Sequence, residues 1–130
     1  MYIKCKISIG EYLDKLSILY IKRIKITDPS KLINVNKEIR ELEKTLKLIP
    51  EEPRELMMSD LMKINEKMWN CNEKRKLKIE ECEFDQEYLK LSIEESAEND
   101  RRFHIKQKIN QFFDSEIKEE KSYGRIKSLD

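Results

Sequence analysis

The fold is decided by residues 10–49, which read GEYLDKLSILYIKRIKITDPSKLINVNKEIRELEKTLKLI. Apolar side chains recur at every third or fourth position, which predicts a first helix from Gly10 to Ile26. Asp28 and Pro29 are typical of a helix N-cap and of the first helical position, so a second helix starts there after a short turn. Its apolar seam continues to Ile49. The two helices are therefore predicted to pack as an antiparallel hairpin.

The rest of the chain predicts a second hairpin. Pro53 ends the preceding helix, because proline has no N–H and disfavours helix in the residue before it. A third helix follows from about Arg54 to Ile79. After a turn, a fourth helix begins at Asp85 or Gln86 and ends near Phe113. The fold class predicted is mainly all-α, a four-helix antiparallel hairpin bundle.

The first residues follow a different pattern. Residues Tyr2 to Ile9 alternate between apolar and polar side chains, which is the period of a half-buried β-strand. A lone strand needs a partner for its backbone groups, either the tail at 123–129 or the same strand of a second chain. We favour the second chain; an extended lead-in is the alternative. The predicted domains are residues 1–113, helical with this short N-terminal β-strand, and a polar C-terminal tail over 114–130.

Composition limits the class of protein. The chain has 130 residues, enough for one modest core, and its 27 basic and 26 acidic side chains nearly cancel. A net charge of +1 gives no field for binding nucleic acid or a membrane surface. No apolar run is long enough to span a bilayer, so we expect a cytoplasmic protein. Three cysteines without close spacing predict free thiols, and neither a disulfide nor a metal site.

Polar side chains interrupt the apolar faces of the third and fourth predicted helices. Asn65 and Asn72 fall inside the apolar arc of the third helix, and Asp100 falls in the middle of the arc of the fourth. An unpaired buried polar group costs about 1–3 kcal/mol. These side chains, with Arg101 or Arg102, are therefore predicted either to form an interhelical network that fixes register or to surround a ligand.

The ligand hypothesis describes a small homodimeric protein that binds an anionic small molecule without performing chemistry. The candidate binding residues are Asp14, Lys15, Lys22, Asn65, Trp69, Asp100 and Arg101. The three cations would bind an anionic group, and the acidic and amide side chains would orient the cations or the ligand. The residues identify no cofactor.

Two alternatives belong to other functional classes. An enzyme acting on a nucleotide or phosphorylated metabolite would hold Mg²⁺ with Glu95, Glu98 and Asp100. A structural adaptor would bind another protein through its helical faces, and a large exposed apolar patch would distinguish it.

A family resemblance rests on two motifs and several later positions. The motifs are Gly10-Glu11-x-Leu13-Asp14-Lys15-Leu16-x-Ile18-Leu19-x-Ile21-Lys22 and Asp28-Pro29-x-Lys31-Leu32-x-Asn34-Val35. The later positions are Asn65, Met68-Trp69, Asn99-Asp100-Arg101-Arg102, Lys106, Ile109, Asn110 and Glu119-Glu120-Lys121-Ser122-Tyr123. With these the chain resembles an uncharacterised family catalogued as domain of unknown function 6165, which occurs in bacteria and some viruses. The resemblance implies no activity, substrate or cofactor. Because the matched positions are mostly polar, it implies a shared polar centre; at Asn72 the chain departs from the acidic residue expected there.

Overall fold

The computed structural model describes residues 1–122 and contains four helices in this part of the chain. They are α1 (Ile9–Lys25), α2 (Pro29–Leu46), α3 (Glu51–Glu80) and α4 (Gln86–Phe112). The all-α bundle is thereby confirmed, with each predicted helix end within three residues of its place in the structure. Within residues 1–122 no helix combines the length and apolar character needed to cross a bilayer.

The helix starts follow local hydrogen-bonding rules. The side chain of Ser8 accepts a hydrogen bond from the backbone N–H of Glu11, and Asp28 and Asp85 cap α2 and α4 in the same way. Helix α3 begins at Glu51, three residues before the predicted start at about Arg54. Pro53 is tolerated there, since the first-turn N–H groups of a helix have no intrahelical partner to lose.

Helix α1 is the central element of the bundle. It packs against α2, α3 and α4, and α3 and α4 pack against each other as a hairpin. The core cluster is centred on fully buried leucines of α1 and α3, namely Leu13, Leu16 and Leu61. The start of α3 is also tied to the end of α2, because Nη1 of Arg54 donates to the carbonyls of Leu46 and Ile49 at 2.8 and 2.9 Å.

The α3–α4 hairpin is longer than α1. Helix α1 has 17 residues, while α3 and α4 have 30 and 27. The last residue of α1, Lys25, lies beside Glu66 and Asn70, so α3 continues for ten residues beyond that contact. We call residues 73–94 the hairpin arm. Four large apolar side chains are exposed on it: Leu77, Ile79, Phe84 and Leu89.

The predicted N-terminal β-strand is wrong. Residues 1–7 are exposed and form no strand, and residues 1–122 contain no other strand that could pair with them. Within residues 1–122 of a single chain, no neighbouring strand pairs with the backbone N–H and C=O groups of this segment. Ile9, the predicted end of the strand, is instead the first residue of α1. The alternative partner at 123–129 lies outside the described residues.

Candidate functional site

Five polar side chains from three helices meet between α1, α3 and α4. We call this group the polar centre; its members are Asp14, Ser17, Asn65, Arg102 and Lys106. Asp14, Ser17, Asn65 and Lys106 are buried, and Arg102 is half-buried at the edge. Such groups remain inside a bundle only where they bind each other or a ligand.

Asn65 holds the α1 side of the polar centre. Its Nδ2 donates to Oδ1 of Asp14 and to Oγ of Ser17, each at 2.8 Å. Ser17 in turn donates to the backbone carbonyl of Asp14 at 2.6 Å. The Asp14 carboxylate is thus fixed in position by an amide from α3 and lies deep between the helices.

Arg102 is the least satisfied member of the polar centre. Its guanidinium lies 3.4 Å from Oδ1 of Asn65 and 3.9 Å from Oδ2 of Asp14, both longer than a normal charge-assisted hydrogen bond. A guanidinium carries five N–H donors. Within residues 1–122 Arg102 makes no other polar contact, so most of its donors are available.

Lys106 ties both ends of the described chain to the polar centre. Its Nζ lies 2.7 Å from Glu11, 2.8 Å from Glu119 and 3.8 Å from Asp14. Burial lowers the pKa of Lys106, but hydrogen bonds to Glu11 and Glu119 and the charge of Asp14 outweigh it, so the pKa lies above its usual value. Lys106 is therefore a charged structural link with its donors in use.

Helix α1 approaches α4 closely just beyond the polar centre. The backbone N–H of Gly10 donates to Oδ1 of Asn110 at 2.7 Å. A Cβ at this position would lie 2.7 Å from the backbone carbonyl of Lys106 and 2.8 Å from the same Asn110 oxygen. Only glycine allows this approach, which places Asp14 beside α4.

A small pocket opens beside Arg102. Its volume is about 170 Å³, and it is lined on α1 by Ile18 and Ile21, on α3 by Asn65, Met68, Trp69 and Asn72, and on α4 by Glu95 and Arg102. Glu95 is engaged by Arg75 at 2.6 Å, and Asn72 lies 3.4 Å from the same arginine. The pocket therefore offers one arginine with available donors, two amides and an apolar wall.

The structure brings three of the seven predicted residues to the polar centre or its pocket. Asp14 and Asn65 are in direct contact, and Trp69 lines the pocket while its Nε1 donates to Glu73. Asp100 is buried on α4, with Oδ2 at 3.5 Å from Nε2 of His104.

The three predicted cations lie outside the polar centre. Lys15 is exposed and pairs with Glu38 at 3.2 Å, and Arg101 is exposed and pairs with Glu98. The side chain of Lys22 is half-buried and makes no ion pair with any residue among 1–122. The choice of Arg101 over Arg102 fails because successive helical side chains point about 100° apart, so only one of the two faces α1.

The helical period identifies Arg102 and Lys106 once Ile109 is known to be buried. They lie seven and three residues before Ile109, the deepest apolar residue of α4, so all three share one face. If α4 is oriented so that Ile109 faces the core, Arg102 and Lys106 face the core as well. Ser17 gives no such signal, since serine fits a solvated helix face equally well.

The carboxylates of the hydrolase alternative are engaged separately. Glu95 pairs with Arg75, Glu98 pairs with Arg101, and Asp100 lies beside His104. No group of three or more Asp, Glu, His or Cys side chains in residues 1–122 is placed to hold a metal ion.

Comparison with family models, curated proteins and solved structures finds no match for this chain. The resemblance to domain of unknown function 6165 therefore stays a prediction, and the functional argument rests on the geometry of the polar centre.

Proposed function

We propose that the protein is a homodimer that binds a small anionic molecule in the pocket beside the polar centre, with Arg102 as the anion contact. The observation that carries this proposal is the guanidinium of Arg102, which lines the pocket and makes only long contacts of 3.4 and 3.9 Å. An arginine with available donors in a partly apolar pocket favours a carboxylate or phosphate group.

The rest of the polar centre supports Arg102 without competing for it. Asp14 supplies the charge that keeps a cation at this position, but its Oδ1 is already bound by Asn65. Asn65 also presents Oδ1 toward the guanidinium at 3.4 Å. This arrangement positions Arg102 and leaves its remaining N–H donors available to a ligand, as in preorganised binding sites.

The pocket limits the size and charge of the ligand. A volume of about 170 Å³ is smaller than the several hundred Å³ of sites that enclose drug-sized molecules, so a nucleotide does not fit inside. Glu95 lies on the same wall and repels a second negative charge, although Arg75 offsets part of this. The class that fits best is a small monoanion whose apolar part contacts Met68 and Trp69.

A cytoplasmic location belongs to the same proposal. Cys5, Cys71 and Cys82 are all free thiols, and two of them are exposed, which suits a reducing compartment. The near balance of acidic and basic residues supports a small-molecule ligand rather than a nucleic acid.

The neighbouring arginines provide a matched test by isothermal titration calorimetry. The probes are acetate, benzoate and inorganic phosphate, titrated into the wild type, Arg102→Gln and Arg101→Gln. We expect benzoate or acetate to bind the wild type, with affinity at least about tenfold weaker in Arg102→Gln and unchanged in Arg101→Gln. Absence of binding by all three probes, or equal losses in the two variants, would contradict the proposal.

A further inference from the structure

The pocket beside the polar centre also contains an acceptor that the anion contact does not use. Glu95 lines the same pocket as Arg102 and is half-buried. Its Oε2 lies 2.6 Å from Nη1 of Arg75, whereas its Oε1 forms no hydrogen bond with any residue among 1–122. An ionised carboxylate only accepts hydrogen bonds, so a ligand in this pocket meets donors at Arg102 and an acceptor at Glu95.

Glu95 and Arg102 lie on the same face of α4. Seven residues separate them, which corresponds to nearly two helical turns and about 10.5 Å along the helix axis. Both side chains are long, so a small molecule placed between them forms a hydrogen bond of about 2.8 Å with each. The pocket therefore favours a ligand with two different polar groups, an acceptor that binds Arg102 and a donor that binds Glu95.

The donor that fits beside Glu95 is uncharged. The negative charge of Glu95 is already offset by Arg75 at 2.6 Å. A cationic group of the ligand would lie near two arginines, Arg75 and Arg102, and would lose its hydration in a partly apolar pocket. A hydroxyl avoids this repulsion and can donate its hydrogen to Oε1 of Glu95.

We infer that the ligand is a small 2-hydroxycarboxylate whose carboxylate binds Arg102 and whose hydroxyl donates to Oε1 of Glu95. Its apolar chain contacts Met68 and Trp69 on α3. The pocket of about 170 Å³ has room for about six water-sized groups, which favours a hydroxyl on the carbon next to the carboxylate and a short apolar chain. The inference rests on the proposed anion site and adds a second polar contact to it.

Three contacts around one carbon atom make the site selective for one enantiomer. Carbon 2 of such an acid carries the carboxylate, the hydroxyl and the apolar chain. These groups meet Arg102, Glu95 and the wall formed by Met68 and Trp69, respectively. The mirror-image acid satisfies two of these contacts at a time and not all three. The two enantiomers should therefore bind with different affinities.

Isothermal titration calorimetry of the full chain with matched acids tests the second contact. The probes are 3-methylbutanoate, which has no donor, each enantiomer of 2-hydroxy-3-methylbutanoate, and valine, which has an ammonium group in place of the hydroxyl. We expect one hydroxy acid to bind the wild type at least about fivefold more tightly than 3-methylbutanoate. It should also bind more tightly than its enantiomer and than valine. This comparison uses the wild type alone and does not depend on the folding of a variant.

Glu95→Gln tests whether this preference comes from Glu95. The amide has a single oxygen, and Arg75 retains it, so an NH₂ group replaces the acceptor that faces the ligand. The preference for the hydroxy acid over 3-methylbutanoate should fall to about onefold. Glu94→Gln is the matched control, because Glu94 is exposed and lies outside the pocket, and it should keep the preference. Circular dichroism checks that both variants fold.

Four results would overturn the inference. They are equal affinities of the hydroxy acid and 3-methylbutanoate for the wild type, equal affinities of the two enantiomers, tighter binding of valine than of the hydroxy acid, and a preference that survives Glu95→Gln. If 3-methylbutanoate still binds and loses affinity in Arg102→Gln, the anion site stands and only the second contact fails. Absence of binding by every probe would contradict the proposed function as well.

Discussion

Two lysines in this molecule contact three carboxylates each, and they do so in opposite settings. Lys78 near the end of α3 lies 3.1 Å from Glu83, 2.9 Å from Asp85 and 3.0 Å from Glu87. Lys106 on α4 has Glu11, Glu119 and Asp14 as its partners. The pKa of both lysines is raised, that of Lys78 chiefly by hydrogen bonds to Asp85, Glu87 and Glu83.

The difference lies in what each cluster connects. All partners of Lys78 are within nine residues of it in the sequence, so this cluster closes the local turn between α3 and α4. The partners of Lys106 come from α1 and from the segment after α4, and its side chain is 6% exposed against 17% for Lys78. Similar chemistry therefore stabilises a turn at one place and the tertiary structure at the other.

The largest effect should come from placing a second negative charge in the polar centre. Asn65→Asp replaces the amide donor 2.8 Å from Asp14 with a carboxylate, which repels Asp14 in a buried setting. We expect a loss of about 3–5 kcal/mol in the free energy of unfolding, measured by urea denaturation. Asn72→Asp is the control, because this residue is half-buried beside Arg75, and its loss should stay below about 1 kcal/mol. Equal losses would show that the polar centre does not depend on the Asn65 donor.

A smaller loss of stability should distinguish Lys106 from Lys78. Lys106→Met removes the cation beside buried Asp14, but Asp14 keeps Asn65 as a partner, and Glu11 and Glu119 are exposed enough to be rehydrated. We therefore expect a loss of about 1–3 kcal/mol for Lys106→Met. Lys78→Met should lower the free energy of unfolding by clearly less than Lys106→Met does. This smaller loss should disappear in high salt, because the carboxylate partners of Lys78 are exposed. A greater loss for Lys78→Met would reverse the comparison.

The smallest expected effect is the pH dependence of the stability that Lys78 and its carboxylate partners contribute. A hydrogen bond from Lys78, and then one from the backbone of Tyr88, hold the pKa of Asp85 below its usual 3.8. A carboxyl whose pKa is lowered by folding contributes stability above its unfolded pKa and loses it as pH falls through the folded value. The difference in melting temperature between the wild type and Lys78→Met should therefore shrink as pH falls below about 4. A difference that persists at about pH 2 would contradict this account.

Much of the fold follows from the sequence because its signals are local. Apolar spacing defines the helices, and residues such as Asp28 and Pro29 define a helix start without reference to the rest of the chain. The N-terminal strand was mispredicted for the same reason. An alternating pattern reports a preference for one face, but a strand exists only where a neighbour pairs with it.

The site could be predicted only in part. Asn65 could be found, because a polar residue on an apolar face indicates buried pairing wherever it occurs. Asp14 is predicted as one of the polar positions of the family resemblance. The anion contact depends on which side of α4 faces α1, and an error of one residue moves a side chain by about 100°. That phase is set by packing of Ile109 into the core and by the close approach at Gly10, which are tertiary properties.

The central claim is that Asp14 and Asn65 hold Arg102 at the pocket with donors available for an anion. The most direct measurement is the calorimetric affinity of Arg102→Gln for benzoate, compared with that of its neighbour variant Arg101→Gln. The account predicts that the affinity for benzoate is at least about tenfold weaker in Arg102→Gln and unchanged in Arg101→Gln. Benzoate binding that is indifferent to Arg102, or absent from the wild type together with that of acetate and phosphate, would contradict it.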